Sequence, residues 1–129
     1  MTRDEAQALL DSCELHALLG LELVQFEEGR VRFSFAPPAS VRSEDGGSIH
    51  GGALATALDT AATFAVISSI GADATTIDLR LDYLRPALDP QLTVDGFTLK
   101  VGRRFAFADA TAVASDGRTV ASARGTFTW

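Results

Sequence analysis

The sequence has little of the chemistry that metal and redox sites require. Cys13 is the only cysteine among 129 residues, so neither an internal disulfide nor a cysteine-based metal cage can form. The two histidines, His16 and His50, are far apart in the sequence, which disfavours a zinc site. The first residues are polar and acidic, and no secretory apolar core follows them. We therefore predict a cytoplasmic protein that uses no metal and no cofactor.

Positive charge is also scarce. The chain has 11 Lys and Arg against 17 Asp and Glu, a formal net charge of -6, which argues against a nucleic-acid-binding surface. A local cluster of arginines can still bind a phosphorylated ligand. Hydrophobic residues make up 47% and charged residues 22%, as in ordinary globular proteins. With no repeat and no long linker, the chain is predicted to form one domain over residues 1–129.

A long run of large apolar side chains is missing. The nearest candidate, residues 51–72, carries a single charge, Asp59, but consists largely of Ala, Thr, Ser and Gly. Placing an aspartate at the centre of a membrane costs about 2.5–3.5 kcal/mol. The composition therefore predicts a helix buried inside the protein and no membrane partner.

Before residue 51, the pattern predicts two short helices followed by a β-hairpin. Residues 3–10 have the spacing of a short amphipathic helix, which residues 13–19 continue after a break. Residues 21–26 and 30–35 are two strand-like runs around a Gly-containing turn, and the second run alternates polar and apolar side chains. Residues 39–49 then form a polar loop.

The long helix is predicted to begin at Gly51 and Gly52 and to end at Gly71. Strand-like runs follow it, read as four strands or as three with one bent: residues 77–83, 92–101, 104–115 and 119–129. Successive hairpins indicate an antiparallel sheet, and the apolar helix needs a surface to cover it. The predicted fold class is α+β, with an antiparallel sheet wrapped around one long central helix.

The helix also carries the most informative chemistry. Gly51 and Gly52 at its start present bare backbone N–H groups at the positive end of the helix dipole, where a carbonyl or an oxyanion can be held. Asp59 lies about two turns further on and is the one ionisable group of the helix. A carboxylate there is costly unless it is paired or used, so Asp59 is a catalytic group, a structural hydrogen-bond acceptor, or a residue that faces solvent.

The sequence His50-Gly51-Gly52, with an aspartate nine positions after the histidine, resembles the phenylacetate-degradation-type (PaaI-like) thioesterases of the hotdog fold. Residues 83–87, Tyr-Leu-Arg-Pro-Ala, and 101–106, Val-Gly-Arg-Arg-Phe-Ala, are also similar to strand endings of that family. The resemblance extends from Gly46 to the C-terminus. It implies a hotdog fold and an acyl-CoA substrate, hydrolysed to a free acid and coenzyme A.

The resemblance also implies roles for individual residues. The Gly51 N–H would polarise the thioester carbonyl, and Asp59 would be the nucleophile or the base that activates water. Thr76 aligns with a strand position that usually bears Ser or Thr and would orient the water or the carboxylate. In this family the glycine and the aspartate come from different subunits, so the expected assembly is a homodimer or a homotetramer built as a dimer of dimers.

Three of these positions leave alternatives open. The family usually has an amide fifteen residues before the acid, where this chain has Glu44; an ionised Glu cannot donate a hydrogen bond as an amide does. Either Glu44 points into the site, where it would repel Asp59 and weaken the activity, or a shift of the loop brings another polar group there. His50 either supports the loop and substrate or is a structural residue with backbone partners. Thr76 shares the strand parity of Asp78, so strict alternation would place it on the polar face of the sheet.

Arginines are candidates for binding the phosphates of coenzyme A, since guanidinium pairs well with phosphate. With Gly52, the candidate substrate-binding residues are Arg80, Arg85, Arg103 and Arg104. The alternative for each arginine is an ordinary solvated surface. Two further functions also remain open at this stage: a non-catalytic acyl-CoA-binding protein, and an enoyl-CoA hydratase or dehydratase that would pair His50 with Asp59.

Overall fold

The computed structural model describes residues 1–44 and 47–129. It begins with two short helices, α1 (Arg3–Asp11) and α2 (Glu14–Leu18). The first is fixed by a capping box, in which the Thr2 side chain accepts from the Glu5 N–H and the Glu5 carboxylate accepts from the Thr2 N–H. The predicted break between the helices is present, and α1 extends one residue beyond the predicted end.

The described residues form one sheet of six strands, all paired antiparallel, in the order β1-β2-β4-β5-β6-β3. The strands are β1 (Leu21–Glu27), β2 (Arg30–Phe35), β3 (Thr75–Tyr83), β4 (Leu92–Val101), β5 (Phe105–Val113) and β6 (Thr119–Thr128). The first two come before the long helix, α3 (Gly51–Ile70), and the other four follow it. This confirms the predicted α+β fold class. It also shows that four separate strands follow the helix, and not three with one bent.

The concave face of the sheet packs on α3 through small side chains. Alternate alanines of β5, from Ala106 to Ala112, are fully buried there, and their size lets the helix lie close to the strand. Gly96 of β4 makes the closest approach, because a methyl group at this position would overlap the carbonyl oxygen of Ala61. Aromatic packing adds to the core, with the rings of Phe33 and Phe64 edge to face at 5.4 Å.

Both ends of α3 are capped, and the helix begins at Gly51 and ends before Gly71 as predicted. The Nδ1 atom of His50 caps its start, and Gly71 ends it in the left-handed conformation with φ of 70°. The helix is long and apolar enough to cross a membrane by length and composition, yet 61% of its most apolar window is buried inside the protein. The charge on Asp59 and this burial fit the core helix that the sequence predicts.

Candidate active site

Asp59 lies in the third turn of α3, half-buried, at the edge of a cleft of about 460 Å³. We call this the carboxylate cleft. Three parts of the chain enclose it, namely the α1–α2 segment, α3 and the start of β3. The lining residues are Leu9, Ser12, Cys13, His16, Asp59, Thr60, Thr63, Phe64, Ile67, Asp73, Ala74, Thr75 and Thr76. The cleft thus combines an apolar floor with several hydroxyl groups and two carboxylates, those of Asp59 and Asp73.

A short chain of hydroxyl groups holds this carboxylate. The hydroxyl of Thr76 donates to Oδ1 of Asp59 at 2.8 Å. Because that hydroxyl has a single proton, Thr63 must be the donor in its 3.4 Å contact with Thr76. Oδ2 of Asp59 accepts no hydrogen bond from the residues that the structure describes. One carboxylate oxygen is therefore fixed and the other is left for chemistry.

Thr76 reaches Asp59 because β3 contains a β-bulge. Thr76 pairs with Phe127 and Asp78 with Thr126, so Ile77 is an extra residue without a partner on β6. The bulge reverses the alternation, and Thr76 faces the helix while Asp78 faces outward. The expectation that strict alternation places Thr76 on the polar face is therefore wrong. The exposure of Ile77, 55%, fits its position in the bulge.

The start of α3 is held by two side chains. Nδ1 of His50 accepts from the Gly52 N–H at 2.9 Å, so this nitrogen carries no proton and the neutral ring has its proton on Nε2. The hydroxyl of Tyr83 donates to the Gly51 carbonyl at 2.7 Å. Together they fix the peptide group between the two glycines. Among the described residues the Gly51 N–H has no hydrogen-bond acceptor, so it is a free donor at the helix start.

Gly51 and Asp59 of one chain do not meet. Eight residues of α-helix separate them, a rise of about 12 Å. Gly51 instead lines a different cleft of about 610 Å³, the amide cleft, with His50, Ser43 and Ile49. For the same reason, the pairing of His50 with Asp59 that a hydratase would need is not assembled within one chain.

Helix α2 stands between the two clefts. Leu15 lines the amide cleft, whereas the next residue, His16, lines the carboxylate cleft. None of the side chains of this five-residue helix is buried. A single short element therefore contributes to the walls of both clefts.

Glu44 lies on an exposed turn, just after the bridge between Arg42 and Ile49. It does not line the carboxylate cleft of its own chain. Glu44 lies in the loop that leads into the start of α3. The next residues of the predicted motif, Asp45 and Gly46, lie outside the described residues.

The candidate arginines are spread over the surface. Arg80 is on the outer face of β3, 3.2 Å from the carboxylate of Asp82. Arg85 follows the end of β3, whereas Arg103 and Arg104 form the β4–β5 turn beside the start of β3. A nine-residue strand spans roughly 26 Å, so Arg85 and the Arg103–Arg104 pair cannot bind one phosphate within a single chain.

Sequence reasoning missed three residues near these clefts. Thr63 follows Asp59 by four residues and so shares its helix face; this spacing was a usable signal. Tyr83 and His16 gave no local signal, because their contacts with Gly51 and with the carboxylate cleft are made only in the folded chain.

The fold is that of a known class. The family model of the thioesterase superfamily matches residues 46–121, more than half of the chain, and the chain belongs to this superfamily. A medium/long-chain acyl-CoA thioesterase of Salmonella typhimurium, YigI, is 33% identical over 125 residues, which cover 84% of this chain and 81% of that protein.

Solved structures agree with this assignment. The PaaI protein of the Escherichia coli phenylacetic acid degradation operon superposes with a TM-score of 0.88 and 26% identity, covering 97% of this chain and 90% of that one. A Streptococcus mutans protein bound to acetyl-CoA superposes with a TM-score of 0.77 and 28% identity, covering 84% and 86%. The predicted hotdog fold and the resemblance to PaaI-like thioesterases are confirmed.

Proposed function

We propose that this protein hydrolyses an acyl-CoA thioester to a free acid and coenzyme A. The observation that carries the proposal is the Asp59 carboxylate, which Thr76 holds by one oxygen at the edge of a cleft with an apolar floor. Two relatives support the substrate class, since one is named an acyl-CoA thioesterase and another is bound to acetyl-CoA. The floor, which includes Phe64 and Ile67, is suited to an aryl or fatty acyl group.

In this proposal the ionised carboxylate starts the reaction. Oδ2 of Asp59 either attacks the thioester carbonyl carbon or removes a proton from the attacking water. Thr76 keeps the other oxygen fixed and so orients the carboxylate. The carbon–sulfur bond then breaks, and coenzyme A leaves as a thiolate that gains a proton afterwards.

The oxyanion that forms needs a hydrogen-bond donor, and we assign it to Gly51 of a second subunit. The separation of about 12 Å along α3 prevents Gly51 of the same chain from reaching the carbonyl that Asp59 attacks. The edge strand β3 carries both Thr76 and Tyr83, and an unpaired strand edge is a natural contact between subunits. A homodimer, or a homotetramer built as a dimer of dimers, would complete two sites for each pair of chains.

The same assembly provides cations for the phosphates of coenzyme A. Arg85, Arg103 and Arg104 are exposed and make no salt bridge with the residues that the structure describes, whereas Arg80 pairs with Asp82. We therefore favour the first three over Arg80 as phosphate ligands. A cytoplasmic location fits both the substrate class and the free, exposed thiol of Cys13.

The test is thiol release from a panel of aryl- and fatty acyl-CoAs. Asp59→Asn keeps the size of the side chain but removes its charge, and we expect a loss of about a hundredfold or more in kcat. Asp82→Asn is the matched control, because it removes the same charge from the outer face of β3 and should keep wild-type activity. Hydrolysis that persists in Asp59→Asn would contradict the assigned role, and binding of acyl-CoA without turnover by the wild type would favour a non-catalytic binding protein.

A further inference from the structure

His16 is placed in the carboxylate cleft by an interaction that fixes its ring. It lies on α2, is half-buried, and lines the cleft together with Asp59. Its Nδ1 is 2.8 Å from the carbonyl oxygen of Leu10. Leu10 itself is 1% exposed, so the atom that receives this contact belongs to the packed core.

This contact decides where the imidazole proton lies. A carbonyl oxygen only accepts hydrogen bonds, so Nδ1 of His16 must be the protonated nitrogen. In the neutral ring the lone pair is then on Nε2, which makes no hydrogen bond with the described residues. Nδ1 is turned towards the Leu10 carbonyl, so the ring atom that His16 can offer the cleft as a proton acceptor is Nε2.

Hydrolysis through a covalent intermediate requires such an acceptor. Once Asp59 has attacked the thioester it is an anhydride and can no longer take the proton of the hydrolytic water. The cleft offers two other bases, His16 and Asp73. Asp73 is exposed, and its Oδ1 already accepts from the Ala74 N–H at 2.8 Å, which favours His16.

We propose that His16 is a further catalytic residue, the general base of the second half of the reaction; the proposal rests on the thioesterase function above. Oδ2 of Asp59 attacks the acyl carbon, the carbon–sulfur bond breaks, and coenzyme A leaves as a thiolate. Water then attacks the acyl carbon of the anhydride while its proton passes to Nε2 of His16. The anhydride carbon–oxygen bond breaks, releasing the acid and restoring Asp59, and the imidazolium returns its proton to the thiolate.

Two variants distinguish a catalytic role of His16 from a purely structural one, in which its ring only caps the Leu10 carbonyl of α1. In His16→Asn the amide nitrogen lies near the former Nδ1, so it can still donate to the Leu10 carbonyl, but no basic atom reaches the cleft. In His16→Gln the amide lies near the former Nε2 and the bond to Leu10 is lost. Asp73→Asn is the control for the competing base.

The experiment measures rapid thiol release, steady-state turnover, the melting temperature and, after acid quench, the masses of the intact chain and of its peptides. We expect His16→Asn to keep the wild-type melting temperature and to release a burst of about one thiol per site. Its steady-state rate should fall about a hundredfold or more, the usual range for a general base. The quenched variant should carry the acyl mass on the peptide that contains Asp59.

Three results would overturn the proposal: wild-type turnover in His16→Asn, a loss of rate without burst or acyl adduct, or a burst in Asp73→Asn in place of His16→Asn. A purely structural role would instead lower the activity of His16→Gln more than that of His16→Asn, in step with its melting temperature. If the wild type releases no thiol from any acyl-CoA, the thioesterase function itself fails.

Discussion

Gly51→Pro should remove the backbone N–H that the proposed mechanism uses while leaving the helix in place. Gly51 is the first residue of α3, the position where a helix tolerates proline best. His50 has φ of -54° and ψ of 134°, an extended conformation of the kind favoured before proline. A side-chain carbon at position 51 would contact the ring of Tyr83 at 3.4 Å, an ordinary packing distance.

The size of the effect follows from the loss of one oxyanion donor. Removing such a donor typically lowers kcat by about 10²–10³-fold, or about 2.7–4 kcal/mol. Gly51→Ala is the matched control, since it adds the same contact with Tyr83 but keeps the N–H. We expect Gly51→Pro to lose activity by this factor, with a melting temperature close to that of Gly51→Ala, which should remain active.

The same variant tests whether the site crosses a subunit boundary. We expect Gly51→Pro and Asp59→Asn, each nearly inactive alone, to complement one another when they are co-expressed in equal amounts. About half of randomly paired dimers are mixed, and each has one intact site of two, so the preparation should regain about a quarter of wild-type thiol release. Intact-mass measurement of the assembly verifies that mixed species are present.

Two results would refute the reasoning. If mixed dimers form but recover no activity, Gly51 and Asp59 act within one chain or not in the same reaction. If Gly51→Pro alone hydrolyses at the rate of Gly51→Ala, its N–H does not stabilise the oxyanion, and the donor must be sought elsewhere.

Two further perturbations follow from other contacts. Thr76→Val should lower kcat about tenfold or more, because a hydrogen bond worth about 1.5–3 kcal/mol orients the carboxylate of Asp59. Thr76→Ser keeps the hydroxyl and should hydrolyse at nearly the wild-type rate. Equal rates for the two variants would contradict this role of Thr76. The backbone N–H of Ser115 donates to Asp89 and holds the pKa of that carboxyl below its usual range. The resulting stabilisation is present above the ordinary pKa of Asp and is lost as the pH falls through the lower folded value, so Asp89→Asn should reduce the melting temperature at neutral pH but not in strong acid.

The fold could be predicted because its signals are local. The alternation in β2 and β3, the turn at Gly117 and the uncharged small-residue helix each indicate one element. Their order then leaves few arrangements besides a sheet wrapped on a helix. Gly51 and Asp59 could also be proposed, since an acid on a neutral helix and a pair of glycines at its start are visible in the sequence.

The details of the site depend on local irregularities of the backbone, which the periodicity of the sequence does not predict. The bulge at Ile77 turns Thr76 towards Asp59. No residue type in β3 predicts this bulge. Likewise, nothing in the N-terminal pattern shows that His16 lines the carboxylate cleft, because the turn between α1 and α2 sets the direction of its side chain.

The unburied helix α2 has a consequence for how substrate preference can change. Folding places few demands on its side chains, since none is needed to fill the core. Leu15 lines the amide cleft, whereas its neighbour His16 lines the carboxylate cleft, so a substitution at Leu15 would alter one wall without removing the proposed catalytic base. The catalytic scaffold of helix and sheet, together with His16, can then stay unchanged while the other residues of α2 diversify, which makes α2 a natural target for directed evolution of acyl selectivity.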